Sequence, residues 1–139
     1  MSLIIIKPDA VKANQVGKII DIFEQKGYYI RAMKLAYTSV ELMETHYAEH
    51  KGKDFFNTLC KSFENKRVVA LVVDHKKQQK PSLIAAVRRL VGTVDTPGSI
   101  RGVFAKSFED NSVHASDSEA SAKREIKLWF PECAFLHKA

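Results

Sequence analysis

The chain has 139 residues, 45% of them apolar, and its 22 Lys and Arg against 16 Asp and Glu give a formal net charge of +6. That length is expected to form one domain over residues 1–139 and to bury roughly two thirds of its unfolded surface, enough for a core. No apolar run reaches the roughly 18 residues a membrane span needs, and the opening MSLIIIKPDA is too short and lacks the basic start of a secretory signal, so a cytoplasmic protein is expected.

SLIII at 2–6 is a short run rich in β-branched residues and reads as a buried strand. It ends at Lys7-Pro8-Asp9, because proline has no N–H for a central ladder. Over 13–27, Val16, Ile19, Ile20 and Phe23 recur at helical spacing, closed by Gly27. YYIRAMKLAYT at 28–38 reads as a second strand. Ser39 can cap a helix carrying Leu42, Met43 and Tyr47, and a further helical piece spans 55–64.

RVVALVV at 67–73 is the clearest strand. Pro81 and Ser82 begin a helix holding Leu83, Ile84, Val87 and Val91, ended by Gly92. TVDTPGSIRG at 93–102 reads as a loop by its glycines and proline. A short strand is expected over 111–115 and a last helix from Ser116 to Phe130, with Ser116 and Glu119 as a capping box. The tail after Pro131 reads as a surface extension. Strands separated by helices make an α+β or α/β sandwich, a small sheet covered by helices.

The two cysteines, Cys60 and Cys133, lack metal or redox spacing and read as free thiols in a reducing compartment. The basic balance favours an anionic partner: nucleic acid, a nucleotide polyphosphate or an anionic membrane. A soluble protein that is simply basic is as good a reading of charge alone.

The chemistry concentrates in NSVHASDSEASAKREI at 111–126. His114 taken alone reads first as a satisfied structural histidine. Ser116, at the expected helix start, changes that balance, because the N–H groups and dipole there attract negative charge. Glu125 lies toward the inner face of the helix. A carboxylate there could bind one imidazole nitrogen, fix the tautomer and leave the other nitrogen free to attack. Arg101 in SIRG, with Arg88 and Arg89 near a helix end, offers forks for phosphate oxygens. Lys7, at the end of a buried strand, is placed to reach an anion in a crevice. GxxxxGK[ST], GxGxxG, CxxC and HExxH are all absent, so no glycine cradle and no protein metal site is expected; Mg²⁺ would arrive on a polyphosphate.

IIKPDAV (5–11), EQKGY (24–28), HY (46–47), DFF (54–56), PGSIRG (97–102), HASDS (114–118) and EIKLWF (125–130) together resemble the nucleoside diphosphate kinase family, in order over nearly the whole chain. The resemblance implies a ferredoxin-like βαββαβ sandwich with an antiparallel sheet. It also implies ping-pong transfer of a γ-phosphate from a Mg-bound nucleoside triphosphate to a nucleoside diphosphate, through a phosphohistidine and with broad base tolerance. By motif position His114 carries the phosphate and Glu125 binds its other nitrogen. Lys7, Arg101 and Tyr47 contact phosphates or the active-site network, and Ser116 supports the histidine. Asn111 reaches the sugar hydroxyl, while Phe55 stacks on the base and Leu59 lines the same slot.

One region departs from the family pattern. Arg88 and Gly92 keep the usual spacing, but Thr93 and Val94 follow, so the phosphate-binding threonine is missing from its place. The loop to Pro97 is several residues short, and the stretch 75–87 is longer. Thr96 is the expected substitute. The resemblance further implies a homo-oligomer, hexamer or tetramer, with no membrane partner. A nucleic-acid-binding module is the alternative from another class, but paired-aromatic RNP strands are not evident and nucleic acid is not required. A scaffold that has lost catalysis is the third reading, and the intact set of His114, Lys7, Arg101, Asn111 and Glu125 argues against it.

Overall fold

In the computed structural model, residues 1–77, 82–107 and 110–137 are described. Four strands carry the fold: β1 (Ser2–Ile6), β2 (Tyr28–Tyr37), β3 (Arg67–His75) and β4 (Val113–Ala115). Seven α-helices accompany them among the described residues: α1 (Pro8–Lys12), α2 (Val16–Gln25), α3 (Val40–His46), α4 (Phe56–Lys61), α5 (Ser82–Val91), α6 (Ile100–Phe104) and α7 (Glu119–Trp129). The sheet order is β2-β3-β1-β4 and every neighbouring pair is antiparallel. This is the α+β, ferredoxin-like arrangement expected from the resemblance.

The two-residue period of β1 divides the core. Ile4 and Ile6 join a cluster with Ile19, Phe23, Leu83 and Val87 on one face. Leu3 and Ile5 join Met43, Phe56, Ile126 and Trp129 on the other. Both faces of the central strands are therefore covered, which is why β1 and β3 read as continuous apolar runs rather than alternating ones.

Three expectations need correction. Within 13–27 the helix is α2 alone, Val16–Gln25; the separate α1 precedes it, and Asn14, at a left-handed φ of 58°, lies between the two. Pro8 opens α1 at its first turn, where a missing N–H costs nothing. The loop expected over 93–102 ends in α6, whose start is capped by Ser99 Oγ accepting from Gly102 N at 3.0 Å. The last helix begins at Glu119, not Ser116, and its cap is Ser118, which accepts from Ser121 N.

The tail is not a free extension either. Ala134–His137 forms a 3-10 turn whose Leu136 is buried in the second cluster. Pro81 lies outside the described residues, and α5 is described from Ser82. Cys60 is buried, Cys133 partly so, and both are free thiols. Among the described residues no helix is long and apolar enough to cross a membrane.

Candidate active site

The ladder between β1 and β4 assembles the site. Ile5 pairs with His114, and Lys7 N donates to Ser112 O at 2.8 Å just beyond the last ladder pair. The alternation that sends Val113 and Ala115 into the first core cluster turns His114 to the opposite face, toward α3 and α7. The same register brings Lys7 beside Asn111, whose Oδ1 accepts from Lys7 Nζ at 3.0 Å.

Glu125 is almost wholly buried on α7. Its Oε1 lies 3.1 Å from His114 Nε2 and accepts from Ser116 Oγ at 2.8 Å. Ser116 is fully buried; its N–H donates to Leu3 O, and its Oγ accepts from Leu3 N at 3.1 Å. The hydroxyl thus uses its lone pair on β1 and its proton on the carboxylate. That occupation is why Ser116 does not cap α7. A carboxylate accepts and cannot donate, so the proton between the pair belongs to His114 Nε2, and the lone pair of the neutral ring lies on Nδ1.

His114 lines a cleft together with Lys7, Tyr47, Phe55, Leu59, Arg101 and Asn111. Arg101 is held by its own donors: Nε and Nη2 reach Val113 O at 3.3 and 3.0 Å, and Nη1 reaches Gly92 O at 3.4 Å. Burial, then the charge of Arg88, pulls its pKa down. Lys7 is also pulled down, first by burial. Burial is likewise the main reason the Tyr47 phenol is raised, followed by Cys60 and Glu125. Phe55 is about half exposed (49%) at the cleft.

Four expected residues are not part of that lining: Glu125 and Ser116, buried behind His114, and Arg88 and Thr96. Arg88 Nη1 donates to Ala115 O at 3.0 Å, next to His114 but outside the cleft wall. Arg89 instead acts on Tyr28, so of the two arginines Arg88 is the one on the side of the site. Thr96 is exposed, and its Oγ1 pairs with Thr93 Oγ1 at 2.7 Å. The short loop is packed tightly against α6: a Cβ at Gly102 would collide with Thr96 O.

Sequence reasoning passed over His46 as a residue in its own right. It is 2% exposed, and its ring stands edge to face with His114 at 4.6 Å between centroids. Its Nδ1 accepts from Trp129 Nε1 at 3.0 Å, while Nε2 has no hydrogen-bond partner among the described residues. Burial, followed by His114, Arg124 and His50, pushes its pKa down to about 2. The available signal was Trp129 itself, a core indole that needs an acceptor for its N–H.

His46, His114 and Glu125 hold ligand-type atoms within 4.8 Å of one another. The set does not suit a metal. The indole bond occupies His46 Nδ1, so the proton of the neutral ring sits on Nε2 and no lone pair faces the cluster. Nor would Mg²⁺, which wants oxygen ligands, choose two imidazoles.

Comparisons with known proteins agree with one another. The nucleoside diphosphate kinase family profile matches residues 1–135. The nucleoside diphosphate kinase of Methanocaldococcus jannaschii is 43% identical over 141 aligned residues, covering 99% of this chain and 97% of that one. The enzyme of the same name from Mycobacterium marinum is 46% identical, covering 94% and 96%. A crystal structure of the Aquifex aeolicus nucleoside diphosphate kinase superposes with a TM-score of 0.85 at 34% identity, covering 93% of each chain.

Proposed function

Since the chain belongs to the nucleoside diphosphate kinase family and is a phosphotransferase of that kind, we propose that it works by ping-pong transfer with His114 as the relay. In the first half-reaction His114 Nδ1 attacks the γ-phosphorus of a Mg²⁺-bound nucleoside triphosphate. The new N–P bond forms as the bond from phosphorus to the bridging oxygen breaks, and the diphosphate leaves with that electron pair. In the second half-reaction the terminal oxygen of another nucleoside diphosphate attacks the phosphohistidine and restores the ring. The single supporting observation is the 3.1 Å pair of His114 Nε2 and Glu125 Oε1, which directs the lone pair of the ring to the other nitrogen.

The proton stays on His114 Nε2, so the phosphorylated ring is an imidazolium, and the Glu125 carboxylate at 3.1 Å offsets its positive charge. Ser116 holds Glu125 from the other side. Lys7, Arg101 and Tyr47 bind the transferring phosphoryl and its neighbours, which is most of what phosphoryl transfer asks of a protein. Arg88 joins them by turning its remaining donors to the cleft, and Thr96 by leaving Thr93. Asn111 takes a sugar hydroxyl. Phe55 and Leu59 hold the base by stacking, which is indifferent to base identity. Mg²⁺ would come as part of the substrate and would offset the charge of its phosphates.

The chain acts as a homo-oligomer, hexamer or tetramer. Edge strand β2 supports this, with Met33, Leu35 and Tyr37 exposed in alternate positions (55, 58 and 69%). It works in the cytoplasm and requires no nucleic acid. Incubation with ATP, Mg²⁺ and a panel of nucleoside diphosphates tests the reading: every matching triphosphate is expected, and formation of none would overturn it.

A further inference from the structure

Beside the ring that reacts stands a second imidazole with no task in the mechanism. His46 lies edge to face with His114 at 4.6 Å. Two adjacent imidazoles pose a chemical problem. If the neighbour offered a lone pair, it would compete with Glu125 for the proton on His114 Nε2. The ring could then drift between tautomers, and Nδ1 would lose its standing as the nucleophile.

The surroundings of His46 remove that competition. The indole of Trp129 can only donate, and it donates to His46 Nδ1 at 3.0 Å. A neutral imidazole with a lone pair on Nδ1 carries its proton on Nε2. That Nε2 is buried and has no hydrogen-bond partner among the described residues, and its ring stands edge to face against that of His114. A buried unpaired N–H is costly, and a fold retains one only where its alternative is excluded. Here the alternative tautomer would set an N–H against the indole N–H. The backbone is pinned as well: Arg124 Nη2 donates to His46 O at 3.2 Å.

We propose that His46 is a positioning residue for His114: Trp129 locks it in the Nε2–H tautomer, so that it faces the reactive ring as a donor and leaves Glu125 the sole acceptor for His114 Nε2–H. The low pKa of His46, about 2 by burial and by its neighbours, keeps that ring neutral at working pH. The lock also makes His46 a poor phosphoryl acceptor, since one nitrogen is protonated and the other is covered by the indole. The proposal rests on His114 being the phosphoryl carrier.

The test combines spectroscopy on the wild-type protein with kinetics on Trp129→Phe. In ¹⁵N-labelled wild type at neutral pH, long-range ¹H–¹⁵N correlation is expected to show His46 protonated at Nε2 and bare at Nδ1. A proton on Nδ1 overturns the lock, whether or not any variant folds. In Trp129→Phe, with folding checked by circular dichroism, the indole no longer holds Nδ1. Single-turnover phosphorylation at saturating ATP is expected to slow by about tenfold, the worth of one shared hydrogen bond. KM should stay within about twofold, because no nucleotide contact is touched. An unchanged single-turnover rate, or a loss carried by KM alone, overturns the proposal. Failure of the underlying reading looks different: His114→Ala would still be labelled by ATP, whatever the tautomer of His46.

Discussion

His114 Nε2 and Glu125 Oε1 stand 3.1 Å apart, and the carboxylate is buried while the imidazole opens on a cleft. In the proposed reaction the buried partner orients and the more exposed one reacts. Because Glu125 also takes the Ser116 hydroxyl at 2.8 Å, its own position is set from β1 rather than by a mobile side chain.

Glu125→Gln keeps the shape and removes the charge. A hydrogen bond to a charged group is worth about 1.5–3 kcal/mol, so kcat should fall roughly 10- to 100-fold with the protein still folded and KM little changed. Steady-state kinetics checks this, and an unaltered kcat would take Glu125 out of the mechanism.

Acid stability should depend on His46. Its folded pKa of about 2 lies below the unfolded value of 6.5. Between those two values the unfolded chain binds a proton that the folded one refuses, so stability rises with pH there and is lost as pH falls below 6.5. Each unit of separation is worth about 1.4 kcal/mol. Urea titrations from pH 7 to pH 3 should show a shallower acid loss for His46→Phe than for wild type; parallel curves would contradict this.

Lys7 predicts an alkaline limb. Its pKa is lowered, first by burial, and only its protonated form attracts phosphate. Nucleotide kcat/KM, which reports free-enzyme groups, should fall as pH rises through that lowered value, before the ordinary lysine value of 10.5. Lys7→Arg should move that limb upward, since guanidinium does not titrate there. A profile identical in both proteins would assign the limb elsewhere.

Phe55 offers a half-exposed face at the cleft. Stacking is worth about 1–3 kcal/mol per base, so Phe55→Ala should raise KM roughly 5- to 100-fold, by similar factors for purine and pyrimidine diphosphates. Loss confined to one base class would contradict simple stacking.

Much of this was legible in the residues. β1 and β3 are apolar runs with clear stops, α5 has an unbroken helical period, and Ser39 caps α3 as expected by accepting from Leu42 N. The boundary errors share a cause, since a serine can serve a helix or a distant strand and sequence does not say which. Ser116 went to Leu3 and Glu125, leaving Ser118 to cap α7. Ser99 was the reverse case, a helix cap hidden in a segment that its Pro and Gly mark as loop. Lys7, Asn111 and His114 meet only because β1 and β4 pair, and local spacing does not give strand order. His46 was harder still, since its meaning lies in Trp129, 83 positions away along the chain.

The most direct measurement mixes the protein with γ-³²P-labelled ATP and Mg²⁺, then maps the label. The predicted result is one acid-labile, base-stable phosphate on His114, discharged by added nucleoside diphosphate and absent in His114→Ala. Label on another residue, or phosphate exchange by His114→Ala at the wild-type rate, would contradict it.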